Sequence, residues 1–335
     1  MGATALSSRA IIGAFFYELE QAVRSSWVPK LAKAFRTDQE SETYKWLGQV
    51  AQMREWIGPR IAKGLRENGL TIANKLFEST LEVDVRELRR DKTGQVMARV
   101  KDLAGRTVQH WASLLSTLVN NGAGNTSGLA YDGQFFWDTD HADPGAAYTT
   151  AQSNSLSVDI SALACSVHGS TTAPSAGEMA QVMMQAVAAI LGFRDDTGEP
   201  INDGVKDFMV MAPISLWPVV GSVLSSINLE SGSNNPVRGS GVNFELIANS
   251  RVTATEAIYV FRTGGPVTPF LRQFEVPNRG GTAAPANEDE ADVLVSAIAE
   301  GSEEEFKNHR HLYGVEASRN VGFGYWQYGC KATMI

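Results

Sequence analysis

A long amphipathic helix is the feature that most limits what this chain can fold into. Between Gly94 and Gly122, apolar residues recur at steps of three and four, as the 3.6-residue helical period requires. The stripe consists of Val96, Val100, Leu103, Thr107, Trp111, Leu114 and Leu118. Thr93 is a suitable N-cap, and Gly122 offers a residue that tolerates the left-handed conformation after the last turn. A run of about 25 residues at ~1.5 Å per residue spans roughly 38 Å, so the sequence predicts one helix that supports a whole domain.

A strand and an aromatic, basic loop precede this helix. The segment from Thr80 to Arg86 alternates, which places Leu81, Val83 and Val85 on one face of a predicted strand. The loop before it is rich in Trp and Arg, the residue types enriched in interface hot spots. We therefore expect a contact surface there, and its candidate residues are Trp46, Arg54, Glu55, Trp56, Arg60, Arg66 and Arg86. The alternative is that both Trp residues belong to the core.

The first 43 residues form a predicted arm with a loosely helical apolar series: Ile11, Ile12, Phe15, Phe16, Leu19, Val23, Trp27, Leu31 and Phe35. Pro29 interrupts this helix or starts a second one. Such a large apolar surface must pack against something, in its own subunit or in a neighbour. Phe15 and Trp27 therefore join the candidate interface residues.

Length and charge restrict the class of protein. A chain of 335 residues with 43% apolar and 20% charged residues can form one large or two medium soluble domains. The net charge of -8 argues against a surface built to grip nucleic acid, because phosphate binding needs a basic excess. Two cysteines fit a reducing compartment. We expect no secretory signal and no membrane span, and hence a cytosolic protein.

One acidic segment is a candidate metal-binding site. Residues 131–143 read Y-D-G-Q-F-F-W-D-T-D-H-A-D, and Asp138, Asp140, His141 and Asp143 could offer ligands. However, the calcium-loop spacing requires a ligand where Ala142 stands and Gly where Asp143 stands. A turn whose carboxylates cap backbone donors is therefore favoured. His309 and His311 would share one strand face, but two ligands do not make a site, so we predict no metal and no cofactor.

The second half of the chain has an α/β pattern. Ser175 and Glu178 form a capping box that opens a helix ending at Gly192. Its inward residues are predicted to be Met179, Val182, Met183, Ala186 and Ile190. Strands are predicted at 207–212, 244–248 and 257–261, a helix within 213–229, an extended segment at 266–276 and a mobile surface loop at 278–292.

Motifs of catalysis are absent from the sequence. It contains no P-loop, G-x-S-x-G, H-E-x-x-H or C-x-x-C. Cys165 and His168 lie three apart in a Ser/Ala-rich stretch, which is a weak indication of a nucleophile. We therefore predict that the protein is not an enzyme, and a cytosolic α/β enzyme that uses the 131–143 segment is the alternative.

Several motifs together resemble the major head subunit of phage Mu-like tailed phages. They are W-L-G-Q, M-R-E-W-I-G-P-R, I-A-N-K-L-F-E-S-T-L-E-V, L-V-N-N-G, Y-D-G-Q-F-F-W-D-T-D-H, T-P-F-L-R-Q-F and Y-G-V-E-A-S-R-N-V-G-F-G-Y-W, in this order along nearly the whole chain. The resemblance implies an α+β Hong Kong 97-type major capsid protein fold. It divides the chain into an N-terminal arm (1–43), an extended β loop (44–93), a peripheral domain with a long spine helix (94–155), an axial domain (156–265) and a return to the peripheral domain (266–335).

The resemblance also implies a function and partners. The expected function is the major capsid protein of a tailed double-stranded DNA phage, which self-assembles as pentamers and hexamers into an icosahedral shell. The expected partners are copies of itself, a portal, a scaffolding protein, a head protease and a possible decoration protein. Packaged double-stranded DNA lies inside without specific recognition, and no membrane is involved. The expected location is the virion capsid, assembled in the bacterial host cytoplasm. An encapsulin-like compartment with a protein cargo is the alternative within the same fold.

Overall fold

The computed structural model describes most of the chain: residues 8–45, 69–90, 94–142, 148–229, 232, 234–277 and 292–335. The predicted mobile loop at 278–292 lies outside these residues except for its last position. Among the described helices, none combines the length and the apolar character that a membrane crossing needs.

Eight α-helices run through the described residues: α1 (Ser8–Arg24), α2 (Val28–Leu31), α3 (Val85–Arg90), α4 (Gln95–Asn121), α5 (Ala176–Gly192), α6 (Trp217–Ser225), α7 (Pro236–Gly239) and α8 (Glu303–Asn308). Pro29 occupies the first turn of α2, where its missing N–H costs nothing. The prediction that Pro29 starts a second helix is confirmed.

Two five-stranded sheets and one two-stranded sheet complete the fold. Their strands are β1 (Ala32–Thr37), β2 (Ser41–Tyr44), β3 (Leu70–Ala73), β4 (Lys75–Asp84), β5 (Ser155–Val158), β6 (Asp207–Ala212), β7 (Asn243–Ala248), β8 (Ala257–Arg262), β9 (Phe270–Glu275), β10 (Val293–Ile298), β11 (Arg310–Phe323) and β12 (Gly329–Met334). The first sheet has the order β1-β9-β11-β10, with β4 paired to β11. The second has the order β5-β12-β8-β6-β7, and β2 pairs with β3.

Helix α4 connects the two main hydrophobic cores. Val96 and Val100, in its N-terminal half, pack with α1 and with the first sheet through Val83 and Tyr313. Its C-terminal half, from Trp111 onward, packs into the larger core around α5 and the second sheet. The predicted supporting helix is therefore confirmed, and it supports both layers rather than one.

The buried face of α4 differs in detail from the predicted stripe. Ala104, Val108 and Leu115 are buried, whereas Leu103 and Leu114 are only half-buried. The N-cap is Gly94, at φ 72°, and Thr93 lies outside the described residues. The left-handed conformation predicted for Gly122 is wrong, because its φ is -64°. Glycine is needed there for space, since a Cβ would lie 2.6 Å from Cδ1 of Trp137.

Strand β4 ends earlier than its sequence pattern predicts. The strand stops at Asp84, and Val85 and Arg86 start the short helix α3. The side chain of Asp84 accepts a hydrogen bond from the backbone N–H of Arg86 at 2.6 Å. Short acidic side chains compete with ladder hydrogen bonds in this way. Leu81 and Val83 still face the core, as predicted.

The C-terminal segment contributes strands to both five-stranded sheets. The predicted domain division places all of 266–335 in the peripheral domain and stays a prediction, and within this range β12 lies in the second sheet, between β5 and β8. The predicted pair of His309 and His311 on one strand face is wrong. His309 ends α8 in the left-handed region, at φ 54°, so only His311 lies in β11, where it is buried.

The α5 region follows the sequence closely. The Ser175 hydroxyl accepts from the Glu178 N–H, and the Glu178 carboxylate accepts from the Ser175 N–H, which confirms the capping box. All five residues predicted to point inward are fully buried. Strand β6 has the predicted bounds, and β7 and β8 differ from theirs by one residue each. The helix predicted within 213–229 is shorter, at Trp217–Ser225.

Candidate assembly surfaces

Most of the predicted interface residues belong to one segment, residues 46–68, which lies outside the described residues. They are Trp46, Arg54, Glu55, Trp56, Arg60 and Arg66, and their role stays a prediction. Strands β2 and β3 flank this segment and pair antiparallel from Ser41↔Ala73 to Tyr44↔Leu70. The Tyr44 hydroxyl donates to the Gln273 side chain of β9 at 2.8 Å, in a buried position. The base of the loop is thereby attached to the first sheet.

Phe15, in the arm helix α1, is covered within its own subunit. Its ring is 2% exposed, and it packs with Leu19 against the N-terminal half of α4. Lys101 of α4 also forms an ion pair with Glu18 of α1 at 2.5 Å, and the hydrogen bond to Glu18 raises the pKa of Lys101. The apolar face of α1 is therefore satisfied inside the chain, and Phe15 offers a neighbour no free surface.

Trp27 lies between the arm helix and the first sheet. It is half-buried against the larger core, so part of the indole is accessible. The next helix reaches the second sheet, because Lys30 in α2 forms an ion pair with Glu245 of β7 at 2.7 Å. The interface role of Trp27 stays a prediction.

Arg86 belongs to a surface that the sequence patterns missed in part. It lines a pocket together with Arg89 of α3 and with Phe306 of α8. Phe306 is 84% exposed, more than any other large apolar residue in the described part of the chain. We call Arg86, Arg89 and Phe306 the basic–aromatic patch. In the sequence, Phe306 follows three glutamates, and no local pattern indicates that its ring is exposed. In the fold, Phe306 lies on the solvent-facing side of α8.

A second surface lies on the outer face of the first sheet. Glu78 of β4 and Glu316 of β11 are directly opposite each other in the antiparallel register, and both are exposed. Like charges in such positions repel each other. Leu76, two residues before Glu78 and hence on the same face, is 72% exposed. We call Leu76, Glu78 and Glu316 the acidic–apolar patch.

The acidic 131–143 segment has a structural role in its described part. His141 and Asp132 are both fully buried side chains with Nδ1 and Oδ2 2.6 Å apart. The His141 ring stacks on Trp326 with centroids 4.0 Å apart, and the Asn154 side chain donates to the carbonyl oxygens of Phe136 and Trp326. The segment thus fastens the C-terminal turn to the core.

Asp138 binds the backbone, as predicted for this segment, whereas Asp143 lies outside the described residues. Asp138 accepts from the N–H groups of Phe135 and Thr139. Its hydrogen bond to Asp140, and then its charge, raise the pKa of Asp140. Within the described residues, no group of three or more His, Cys, Asp or Glu side chains is arranged to hold a metal ion.

A buried ion pair lies at the first sheet, and its arginine also contacts α4. The side chains of Arg319 in β11 and Asp292 are 1% and 0% exposed, and Nε lies 2.7 Å from Oδ2. The Arg319 guanidinium stacks over Trp111 at 4.7 Å and donates to the Thr107 carbonyl oxygen at 3.0 Å. Arg272 of β9 approaches the same indole at 5.6 Å. Two cations therefore hold the midpoint of α4.

A crevice of about 200 Å³ opens between α4, β4 and β11. His110 and Phe77 line it, with ring centroids 4.3 Å apart. Burial, together with the charge of Arg319, lowers the pKa of His110 to about 4. The imidazole is therefore neutral near pH 7.

The family model described as Mu-like prophage major head subunit gpT matches residues 9–163. The Mu-like prophage FluMu major head subunit of Haemophilus influenzae is 31% identical over 112 residues. The N-terminal part of the chain is similar to the Mu-like major head subunits. The major capsid protein of Escherichia phage Mu is 29% identical over 112 residues. The aligned part is about a third of each chain: 33% of this one, 35% of the FluMu protein and 36% of the Mu protein.

The fold is similar to that of a solved phage procapsid. The structure entitled procapsid of bacteriophage JBD30 covers 98% of this chain and 77% of its own, with a TM-score of 0.54 and 20% identity. The Hong Kong 97-type fold predicted from the resemblance is confirmed. The α+β class agrees with the mixture of long helices and mostly antiparallel sheets.

Proposed function

We propose that this chain is the major capsid protein of a Mu-like tailed double-stranded DNA phage or prophage. Copies of it assemble into an icosahedral shell that encloses the genome. The observation that carries this proposal is the Mu-like head-subunit match over residues 9–163, which includes the arm, the loop and most of the chain up to the second sheet. The proposed function is structural rather than catalytic, in keeping with the buried, paired state of His141 and Asp132.

We infer that the two five-stranded sheets belong to different domains of the subunit. The first sheet with α1 and α4 forms the peripheral domain, and the second sheet with α5 and α6 forms the axial domain. The loop at 44–93 extends from the peripheral side, where β2, β3 and β4 lie. The axial domain then includes β12 in addition to the predicted range 156–265, because β12 pairs with β5 and β8.

The proposed partners follow from this role. Copies of the chain form pentamers and hexamers, and a portal, a scaffolding protein and a head protease complete the assembly. A decoration protein binds the outside, and packaged DNA lies inside without specific recognition. The proposed location is the virion capsid, after assembly in the bacterial cytoplasm.

Electron microscopy of the expressed protein tests the proposal. The full chain is expressed alone and together with its neighbouring head genes, and the particles are stained and measured. Closed shells or capsomer rings of uniform size are expected, with nuclease-resistant double-stranded DNA in the complete system. Shells that hold protein cargo and no DNA would favour a compartment instead. A monomer in both preparations would contradict the capsid proposal.

Variants at residues 46–68 test where the contacts lie. Trp56→Ala and Arg60→Ala are expected to reduce assembly more than subunit folding, because Trp and Arg side chains carry much of the binding energy at interfaces. Arg24→Ala is a control, since Arg24 is an exposed residue of α1 whose partner, Glu20, lies on the same helix. Assembly is measured by sedimentation and folding by circular dichroism. Normal shells from both loop variants would show that the loop assignment is wrong.

A further inference from the structure

The basic–aromatic patch has the composition of an interface hot spot. Arg86 and Arg89 line one pocket together with Glu305 and with the ring of Phe306, which is almost fully exposed. Among the described residues, each guanidinium has one weak ion-pair partner: Asp84 at 3.5 Å from Arg86, and Glu305 at 4.0 Å from Arg89. Exposed Phe and Arg side chains gain most from being covered by a complementary surface.

The acidic–apolar patch has the complementary composition. Glu78 and Glu316 repel each other across the ladder, and among the described residues neither has an ion-pair partner within 4 Å. Leu76 adds an exposed aliphatic group beside them. A partner that brings two cations and one apolar ring would relieve the repulsion and cover the leucine.

The two patches cannot satisfy each other within one subunit. Glu78 lies six residues before Asp84, the last residue of β4, and Arg86 follows just beyond. At about 3.3 Å per strand residue the separation is roughly 20 Å. This exceeds the Debye length of about 8 Å at physiological ionic strength, so their mutual attraction is largely screened.

We propose that the basic–aromatic patch of one subunit docks on the acidic–apolar patch of a second copy of this chain. Arg86 and Arg89 then face Glu78 and Glu316, and Phe306 packs on Leu76. The contact joins two different surfaces of identical subunits, and such head-to-tail contacts close into rings when the rotation permits. This inference rests on the proposed capsid function and names one contact that builds the shell.

A nucleic acid is the less favoured occupant of the basic–aromatic patch. Only two described cations form the patch, each already near a carboxylate, and the whole chain carries a net charge of -8. Phosphate binding depends on a local excess of positive charge. An exposed phenylalanine beside a pocket is better matched by an apolar protein side chain.

A charge swap tests the contact in the full chain, expressed with its neighbouring head genes. The first variant is R86E/R89E and the second is E78R/E316R, and both place like charges at the contact. The third variant combines all four substitutions and restores opposite charges. Each double variant is expected to form at least about tenfold fewer shells than the unsubstituted chain at about 0.15 M salt, and the combined variant is expected to regain most of them.

The controls separate this contact from folding and from the capsid function. Arg251→Glu changes an exposed arginine of the second-sheet layer and is expected to assemble normally. Phe306→Ala and Leu76→Ala remove exposed side chains, so circular dichroism of the subunits should not change while assembly falls. Recovery in the combined variant excludes misfolding as the cause of the losses.

Three results would overturn the contact. In the first, either double variant assembles as well as the unsubstituted chain. In the second, the combined variant assembles no better than the double variants. In the third, R86E/R89E assembles normally but retains less nuclease-protected DNA, which would assign the patch to phosphate binding. Failure of the unsubstituted chain to form any shell or capsomer would instead contradict the capsid function, and the contact proposal would fall with it.

Discussion

The buried ion pair of Arg319 and Asp292 gives the sharpest prediction about stability. At 2.7 Å and an effective dielectric constant of about 20, the Coulomb attraction is about 6 kcal/mol. The desolvation of both ions offsets most of it. Asp292→Ala removes one partner and leaves a guanidinium that is 1% exposed. We expect a loss of about 3–5 kcal/mol in the free energy of unfolding, because the buried guanidinium loses the carboxylate that lies 2.7 Å from it.

The chain offers a matched control. Arg106 and Asp102 on α4 form an ion pair of similar length, 2.8 Å, whose side chains are 73% and 63% exposed. Asp102→Ala is expected to cost about 0.3–0.5 kcal/mol, the usual value of an exposed helix pair. Urea unfolding of isolated subunits, followed by tryptophan fluorescence, measures both. The double variant R319M/D292A should be less destabilised than D292A alone. Equal losses at the two pairs would refute the reasoning, as would a double variant less stable than D292A.

Two further predictions concern α4. Gly122→Ala should destabilise the subunit by about 1–3 kcal/mol, because its Cβ would lie 2.6 Å from Trp137. Gly105→Ala should stabilise the subunit by about 0.5–1 kcal/mol, because no atom lies within 4 Å of the new Cβ. Thermal unfolding measures both variants, and the opposite ranking would contradict this prediction. Since the pKa of His110 falls to about 4 on folding from about 6.5 in the unfolded chain, the unfolded state binds the proton first, and stability declines as the pH falls from about 6.5 to 4. His110→Gln should show a shallower decline over this range in urea titrations, and an unchanged slope would exclude the effect.

The parts of the fold that the sequence predicted well are those decided by neighbours along the chain. The capping box of Ser175 and Glu178 needs only residues three apart, and the inward face of α5 follows from the helical period. Strand β6 is a short apolar run with a proline just after it, which limits its length from the sequence alone. In each case the residues that determine the helix or strand are close together in the sequence. The predicted bounds of these elements therefore agree with the structure.

The predictions that were wrong depend on distant residues. The left-handed expectation at Gly122 considered only helix ends, whereas the reason for glycine is the Trp137 ring, which is 15 positions away in the chain. The position of β12 in the second sheet, where it pairs with β5 and β8, also depends on residues far away in the chain. Long-range pairing of this kind leaves no periodic signal in the strand itself.

The candidate assembly surfaces follow from the sequence in their chemistry but not in their position. Trp and Arg residues, which are common in hot spots, are concentrated at residues 46–68 and at Arg86. Phe306 was not predicted as an interface residue, because exposure is a property of the fold. The same phenylalanine on the inner face of α8 would be part of the hydrophobic core. The pairing of Glu78 with Glu316 is likewise visible only when the register of β4 and β11 is known. An unfavourable pair on an exposed sheet face is a cost to the lone subunit, and the proposed contact with another copy would relieve it.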